Sequence, residues 1–492
     1  MNVLFASSEV WPLIKTGGLG DVAYALPHAL QQQGADVRLI IPAYQEVMNQ
    51  LDAFKILATL TPLDASRPNP VRLIEAQHPQ FDMPIWLVDS QALFDRPGNP
   101  YVQSDGHDWP DNAERFATFS HAVAQVACNV PGLSWKADAV HCNDWQTGLV
   151  PAFMSKFETR PGTVFTVHNL AYGGYFSKDE FTRLGLPWDW WTSEGVEFYG
   201  ELSMLKAGLV YADAITTVSP TYAKEICTPE FGYGMEGVLT ARKHKLSGIL
   251  NGIDTDVWNP ASDTLIEDHY SATRLVTGKR NNKRALLKAF GQKPNKAMLE
   301  APLLGMVGRM VEQKGVDMIL QIIPALLHKT DANLVLIGSG DEEYARQFEA
   351  LAAAHPERVM VYIGYSEQLA HLLEAGSDMF LMPSRFEPCG LNQMYSMRYG
   401  TPPVVNKTGG LADTVCHASA ANLKNDRATG FVFNQANSKA LFDCVIRALK
   451  LYRNKPQWRK LQKRAMAAEF DWQNSARQYM SLYQNGGVVK EK

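Results

Sequence analysis

Lys15-Thr16-Gly17-Gly18-Leu19-Gly20-Asp21 is repeated almost letter for letter as Lys407-Thr408-Gly409-Gly410-Leu411-Ala412-Asp413. Six of the seven positions agree, and only Gly20 and Ala412 differ. Two copies do not make a repeat array; they fit two similar domains that use one Gly-Gly turn at one structural place. The flanks support that reading. Residues 3–6 form a strand-like apolar run before the first copy. After it, Val22, Leu26, Ala29 and Leu30 recur at helical spacing, with Pro27 expected to kink that helix or sit near its start. Gly34 ends the helix, and residues 36–41 read as the next strand, completing a β-α-β unit. The second copy follows a short apolar strand at 403–406 and precedes another helical stretch. Each turn therefore sits where a strand passes into a helix.

The same alternation continues outward. Strand-like runs at 139–141, 164–167 and 214–218 follow the first copy, with helical stretches between them. Upstream of the second, strands at 303–307, 334–337 and 359–363 alternate with helices at 316–327 and 342–354. Such alternation predicts parallel sheets with helices on both faces. The fold class is α/β, with two Rossmann-like domains, and 492 residues suffice for two sizeable cores. The expected divisions are 1–250 for the first domain, 251–465 for the second and 466–492 for a helical tail.

Composition narrows the function. Net charge is −4 with lysines and arginines dispersed, so nucleic-acid binding has no footprint beyond the run Lys279-Arg280-Asn281-Asn282-Lys283-Arg284. That run is expected to open a helix and form a solvated face. The six cysteines form no CxxC pair and no disulfide framework, which suits a reducing cytoplasm. The opening residues lack a basic region and a long apolar core, so no signal peptide is expected. No apolar run approaches the roughly 20 residues of a membrane span.

A strand-to-helix junction in an open α/β sheet is where ligands bind. Glycine lets the backbone come close, and the helix start favours anions; the alternative is a tight turn and nothing more. Arg309 and Lys314 lie in one loop between a strand end and a helix, a placement that suits a diphosphate better than isolated surface charge. Glu387 follows a strand at 379–382 in a loop stiffened by Pro383, Pro388 and Gly390, suited to sugar hydroxyls or to developing positive charge; a helix-capping carboxylate is the other reading. His168 and Asn169 end a strand, where a lone histidine is more often structural. Asp144 stands where a strand turns into a helix.

Taken in order, KTGGLGD at 15–21, HCNDW at 141–145, TVHN at 166–169, NGID at 251–254, GRMVEQKG at 308–315, SRFEPCGL at 384–391 and KTGGLAD at 407–413 resemble the bacterial glycogen and starch synthases from residue 1 to about residue 480. The resemblance implies two Rossmann-like domains facing across a cleft (the GT-B architecture), with a C-terminal tail that packs back on the first. It implies retaining transfer of glucose from ADP-glucose to the non-reducing 4-hydroxyl of an α-1,4-glucan; no cofactor or metal is expected. It assigns Lys15, Gly17 and Gly18 to the sugar nucleotide, with Asp21 near the sugar or acceptor. Arg309 and Lys314 fall on the diphosphate and Glu387 on the glucosyl group. Thr408, Gly409 and Gly410, with Cys389, Gly390 and Leu391, line phosphate and glucose by backbone donors. Tyr365 falls on adenine. His168 lies over the anomeric centre, with Asn169, Asp144 and Asn251 nearby, and Tyr101 is an acceptor-side candidate beside the weaker Asp105 and Trp109. One departure stands out: many nucleotide-sugar transferases carry a second Glu eight residues after the first, where this chain has Tyr395.

Three other patterns compete. Gly232-Tyr233-Gly234-Met235-Glu236-Gly237 matches the dinucleotide fingerprint but follows a helix and a Thr-Pro loop rather than a strand, so it fails its context. Asp254-Thr255-Asp256 mimics a metal-binding DxD, and a turn is the favoured reading. Trp188, Trp190, Trp191, Phe198 and Tyr199 either fill core or stack on glucan rings. The rival functions are a UDP-glucose-dependent transferase of the same architecture and a glucan-binding protein without catalysis.

Overall fold

The computed structural model describes residues 1–64, 70–128 and 130–485. The chain divides into two compact units, Met1–Asn251 with the segment beginning at Trp472, and Gly252–Asp471.

Unit 1 holds twelve strands among its described residues: β1 (Asn2–Ala6), β2 (Asp36–Pro42), β3 (Phe54–Leu60), β4 (Val71–Ala76), β5 (Ile85–Asp89), β6 (Ala139–Asn143), β7 (Gly162–Val167), β8 (Tyr175–Phe176), β9 (Glu197–Phe198), β10 (Glu201–Ser203), β11 (Ala214–Thr217) and β12 (Leu246–Gly248). Nine form one sheet in the order β12-β11-β7-β6-β1-β2-β5-β4-β3, and β8-β10-β9 form a small second sheet. The large sheet is parallel except at one edge, where β4 runs antiparallel to both β3 and β5. Residues 77–84, which join β4 to β5, are fewer than the dozen or so that a parallel crossover needs. Val3, Leu4, Phe5 and Ala6 are all fully buried, as expected of a central strand covered on both faces.

The helix Trp472–Asn485 completes unit 1. Its Tyr483 hydroxyl lies 2.7 Å from His141 Nδ1, in mid-sheet, and the Tyr479 ring centroid is 5.1 Å from the same imidazole. Ser475 Oγ donates to Leu250 O at 2.5 Å. His141 is buried, with Thr166 Oγ1 2.6 Å from Nε2, and burial holds its pKa down to about 3.

Unit 2 is one parallel sheet of β13 (Leu303–Val307), β14 (Asn333–Gly338), β15 (Val359–Ile363), β16 (Met379–Met382), β17 (Pro403–Asn406) and β18 (Phe431–Phe433), in the order β15-β14-β13-β16-β17-β18. The helix Val316–Lys329 presents Val316, Ile319, Ile322, Ile323 and Leu326 to this core at helical spacing.

One expectation fails here. The basic run at 279–284 neither opens its helix, which spans Leu275–Ala289, nor faces solvent throughout. Lys279 and Lys283 are buried. Lys279 Nζ donates to Thr401 Oγ1 at 2.5 Å and to the Glu374 and Tyr399 carbonyls at 3.3 Å; Lys283 Nζ pairs with Asp378 at 2.7 Å. Burial pulls the Lys279 amine down to about 7. Four residues apart, the two lysines share the helix face turned inward. Among the described residues no helix is long and apolar enough to cross a membrane.

Candidate functional site

In unit 1 the candidate residues gather at the carboxyl ends of β1, β6 and β7. The chain leaves β1 toward β2 on one side, while β6 pairs on the other, so the strand order reverses here, as it does at ligand sites in open α/β sheets. The first Gly-Gly turn follows directly. Glu9, a residue the sequence reading passed over, organises it. This carboxylate, 3% exposed, accepts from Thr16 N and Thr16 Oγ1, both at 2.6 Å, from Gly17 N at 3.2 Å and from the Tyr101 hydroxyl at 2.6 Å. The one signal in sequence was an acid inside an otherwise uncharged stretch, Phe5 to Ile14. Lys15 Nζ pairs with Asp21 Oδ1 at 2.7 Å, both side chains partly exposed. A Cβ added at Gly17 or Gly18 meets nothing within 4 Å, so open space lies over the turn.

Asp144 follows β6 with a left-handed backbone (φ 55). Its Oδ1 accepts His168 N at 2.7 Å, and Asn169 N donates to the same carboxylate. Burial nevertheless pushes its pKa up to about 7, and the negative Glu9 adds to the rise. His168 Nε2 lies 2.9 Å from Asn143 Oδ1. The Asn143 amide nitrogen is spent on Ala6 O at 2.9 Å, so Oδ1 accepts and the imidazole proton sits on Nε2. Burial holds the His168 pKa down to about 3, and the ring is neutral. Asn169 Oδ1 accepts Ala171 N. Asn251 is buried, and its Oδ1 has no hydrogen-bond partner among the described residues.

In unit 2 the loops after β13, β16 and β17 meet at the corresponding reversal of strand order. Lys314 Nζ donates to Glu387 Oε2 at 2.6 Å, and Ser384 Oγ donates to the same oxygen at 2.9 Å. Glu387 is thus an ion-pair partner rather than a helix cap. Arg385 holds Asp317 with two hydrogen bonds of 2.7 Å, tying the Glu387 loop to the helix after Lys314. Gly315, at φ 70, is required beside it because a Cβ would stand 2.3 Å from Pro383 O. Arg309 is exposed on the same loop, its guanidinium 3.5 Å from Gln313 Oε1.

The second Gly-Gly turn is packed where the first is open. A Cβ at Gly409 would lie 2.0 Å from Glu387 O, and one at Gly410 2.0 Å from Cys389 O. Gly410 N already donates to the carbonyls of Glu387 and Pro388, both at 3.1 Å. The absence of a Cβ at Gly410 lets this turn close on the Glu387 loop. Cys389 and Thr408 are buried beside it, while Gly390 (φ 70) and Leu391 lead into the helix Asn392–Arg398. Tyr365 follows β15, the strand beside β14, by two residues and is 78% exposed.

Tyr395, which replaces the second Glu, stacks on Trp258 at 3.8 Å, and His371 covers the other Trp258 face at 3.8 Å. Asp254 Oδ1 accepts Asp256 N and Val257 N, which makes the DxD stretch a turn. No strand precedes Gly232 within the fingerprint-like stretch, where the helix Pro220–Glu225 stands instead. Of the aromatic cluster, Trp190 is core, whereas Trp188 and Tyr199 are exposed.

Comparison with known proteins follows the same division. Residues 2–241 match the starch synthase catalytic domain family, and residues 289–466 match the glycosyl transferases group 1 family. The chain is 52% identical to a glycogen synthase of Hydrogenovibrio crunogenus, over 98% of this chain and 99% of that one. It is 49% identical to glycogen synthase 2 of Nitrosococcus oceani, over 98% and 97%. Among solved structures, the catalytic domain of starch synthase IV from Arabidopsis thaliana, bound to ADP and acarbose, superposes with a TM-score of 0.87 at 32% identity, covering 99% of each chain.

Proposed function

This chain belongs to the glycogen and starch synthase family of glycosyltransferases, and on that premise we propose that it moves a glucosyl group from ADP-glucose to the non-reducing 4-hydroxyl of an α-1,4-glucan, releasing ADP with retention at the anomeric carbon. It is a hexosyltransferase with the GT-B fold. The observation that carries the residue-level reading is the Lys314–Glu387 ion pair, in the loop that also bears the exposed Arg309, where the strand order of unit 2 reverses.

Departure of ADP builds negative charge on the diphosphate and positive charge on the glucosyl ring. Lys314 and Arg309 answer the first as fixed cations, and a donor of this kind is worth about 3 kcal/mol in a transition state. Glu387 takes the glucosyl group and answers the second. The Gly409 turn and the Cys389-Gly390-Leu391 loop give the sugar and phosphates a close backbone wall, with Thr408 behind it and Tyr365 on adenine. In unit 1, Lys15 with the open Gly17-Gly18 turn takes the sugar nucleotide. Asp21, Asn169, Asn251 and Tyr101 take the sugar and acceptor side. Asp144 fixes the His168 backbone, and a neutral imidazole adds no positive charge beside the forming cation.

A retaining enzyme with a covalent intermediate sets two carboxylates about 5 Å apart. Asp21 is bound to Lys15 and Glu387 to Lys314, so each carboxylate is already engaged by a lysine. We therefore favour same-face transfer: the C1–O bond to phosphate breaks, the C1–O4 bond forms, and the departing phosphate oxygen takes the acceptor's proton. A glucosyl adduct trapped on Asp21 or Glu387 would overturn this route. The transfer itself is tested by chain elongation with ADP-glucose or UDP-glucose, with and without glycogen. Elongation is expected with ADP-glucose and glycogen together. Preference for UDP-glucose would reassign the donor, and no elongation with either would leave a binding protein.

A further inference from the structure

Two dipeptides in unit 1 have the same sequence and the same unusual backbone. Tyr199-Gly200 joins β9 to β10 with φ of 52 and 86, and Tyr233-Gly234 turns between Gly232 and Met235 with φ of 51 and 84. Met235 N donates to Gly232 O at 2.7 Å across the second. Both are two-residue turns with two left-handed residues, whose first position favours Asn, Asp or Gly. A bulky ring there is a genuine outlier. Such strain persists where it is useful, and it clusters at ligand clamps.

Neither ring is placed to fill core. Tyr199 is 83% exposed, and Tyr233 is exposed as well. They belong to one surface. A Cβ at Gly234 would lie 3.3 Å from the Tyr199 ring and 3.0 Å from Phe198. The Phe198 ring packs on Tyr199 at 4.7 Å and stacks face to face on Tyr175 at 5.6 Å and 15°. At the other end, the Tyr172 hydroxyl is close enough to help raise the Tyr233 pKa, after burial. This row is continuous with the candidate residues of unit 1. Gly173 lets the Tyr175 ring lie over the chain, and Gly174, at φ 57, lets Trp145 do so, since a Cβ would meet those rings at 2.1 and 2.4 Å. Trp145 directly follows Asp144.

We propose that Tyr172, Tyr175, Phe198, Tyr199 and Tyr233 form a platform on unit 1 that holds an α-1,4-glucan chain by ring stacking. The faces of a glucose ring present C–H bonds, which lie against the electron-rich face of an aromatic ring, and its edges present hydroxyls for the four phenol oxygens. A row of rings with hydroxyls at their margins suits a repeating sugar. The inference rests on the glucan acceptor proposed above.

The test replaces each turn tyrosine by the residue the turn prefers, so lost folding does not confuse it. Tyr199→Asn with Tyr233→Asn removes both rings and relieves both turns. Glycogen binding is measured on the full chain by affinity electrophoresis, without nucleotide sugar, so that the result stands whether or not transfer occurs. The expected loss is about tenfold or more for the two rings together, with melting temperature unchanged or raised. Tyr199→Trp with Tyr233→Trp should restore binding. In the elongation assay KM for glycogen should rise while KM for ADP-glucose stays. Wild-type glycogen affinity in the asparagine variant overturns the platform, as does a tryptophan variant that binds no better.

Discussion

At the scale of single residues, charge environment separates the two halves of the proposed chemistry. Lys314 is held by Glu387 on the loop that carries the exposed Arg309, so Lys314→Ala should lower kcat by about 100-fold or more while leaving glycogen affinity unchanged. Normal turnover in that variant would remove it from the diphosphate site. Asp144 carries a prediction in pH. Its carboxyl titrates at about 7 when folded and at its ordinary 3.8 when unfolded. Between those values the folded chain keeps a proton that the unfolded chain has released. The stability this group contributes is full below pH 3.8 and is lost as pH rises through 7. Asp144→Asn removes that dependence, so the variant's unfolding free energy relative to wild type should climb from pH 4 to pH 7. The depressed pKa values of His141 and His168 act in the opposite sense, losing stability as pH falls from 6.5 toward 3, but they are common to both proteins. A difference that stays flat with pH would contradict the buried, raised carboxyl.

Among elements, the two near-identical turns show what a motif does and does not convey. Their place between strand and helix was legible from apolar runs alone: β13, β15, β16 and β17 fall where the sequence puts them, because buried parallel strands read as unbroken apolar stretches. Their different use of glycine was not legible, since it depends on what the fold brings opposite. Nothing stands over Gly17 and Gly18, whereas the 387–389 carbonyls press on Gly409 and Gly410. Gly18→Ala should therefore leave the melting temperature nearly unchanged and reduce transfer. Gly410→Ala should destabilise unit 2 by about 1–3 kcal/mol, read from denaturant unfolding. Equal effects of both on stability would deny the asymmetry. Glu9 escaped the reading for the same reason: Thr16, Gly17 and Tyr101 converge on it only after folding. Lys279 and Lys283 misled because a basic run is ordinarily solvated, and the partners that explain their burial, the helix Glu367–Gly376, Asp378, Tyr399 and Thr401, are distant in sequence.

For the whole molecule, the decisive fact is that unit 1 is built from both ends of the described chain and unit 2 from its middle. Tyr483→Ala removes the ring that meets His141 and leaves that imidazole without its Nδ1 partner, a loss of about 3 kcal/mol or more. Scanning calorimetry should show the transition of one unit fall while the other holds. A single transition moving as a body would mean that the units unfold together. The same arrangement bears on how the protein is made. His141 emerges early in synthesis, yet the helix that packs on it follows only after all of unit 2 has left the ribosome. A message cut short after Gly410 and ahead of Trp472 would encode every loop assigned to substrate and still yield an unsealed first unit, a product for chaperones and proteases to find before it competes for sugar nucleotide.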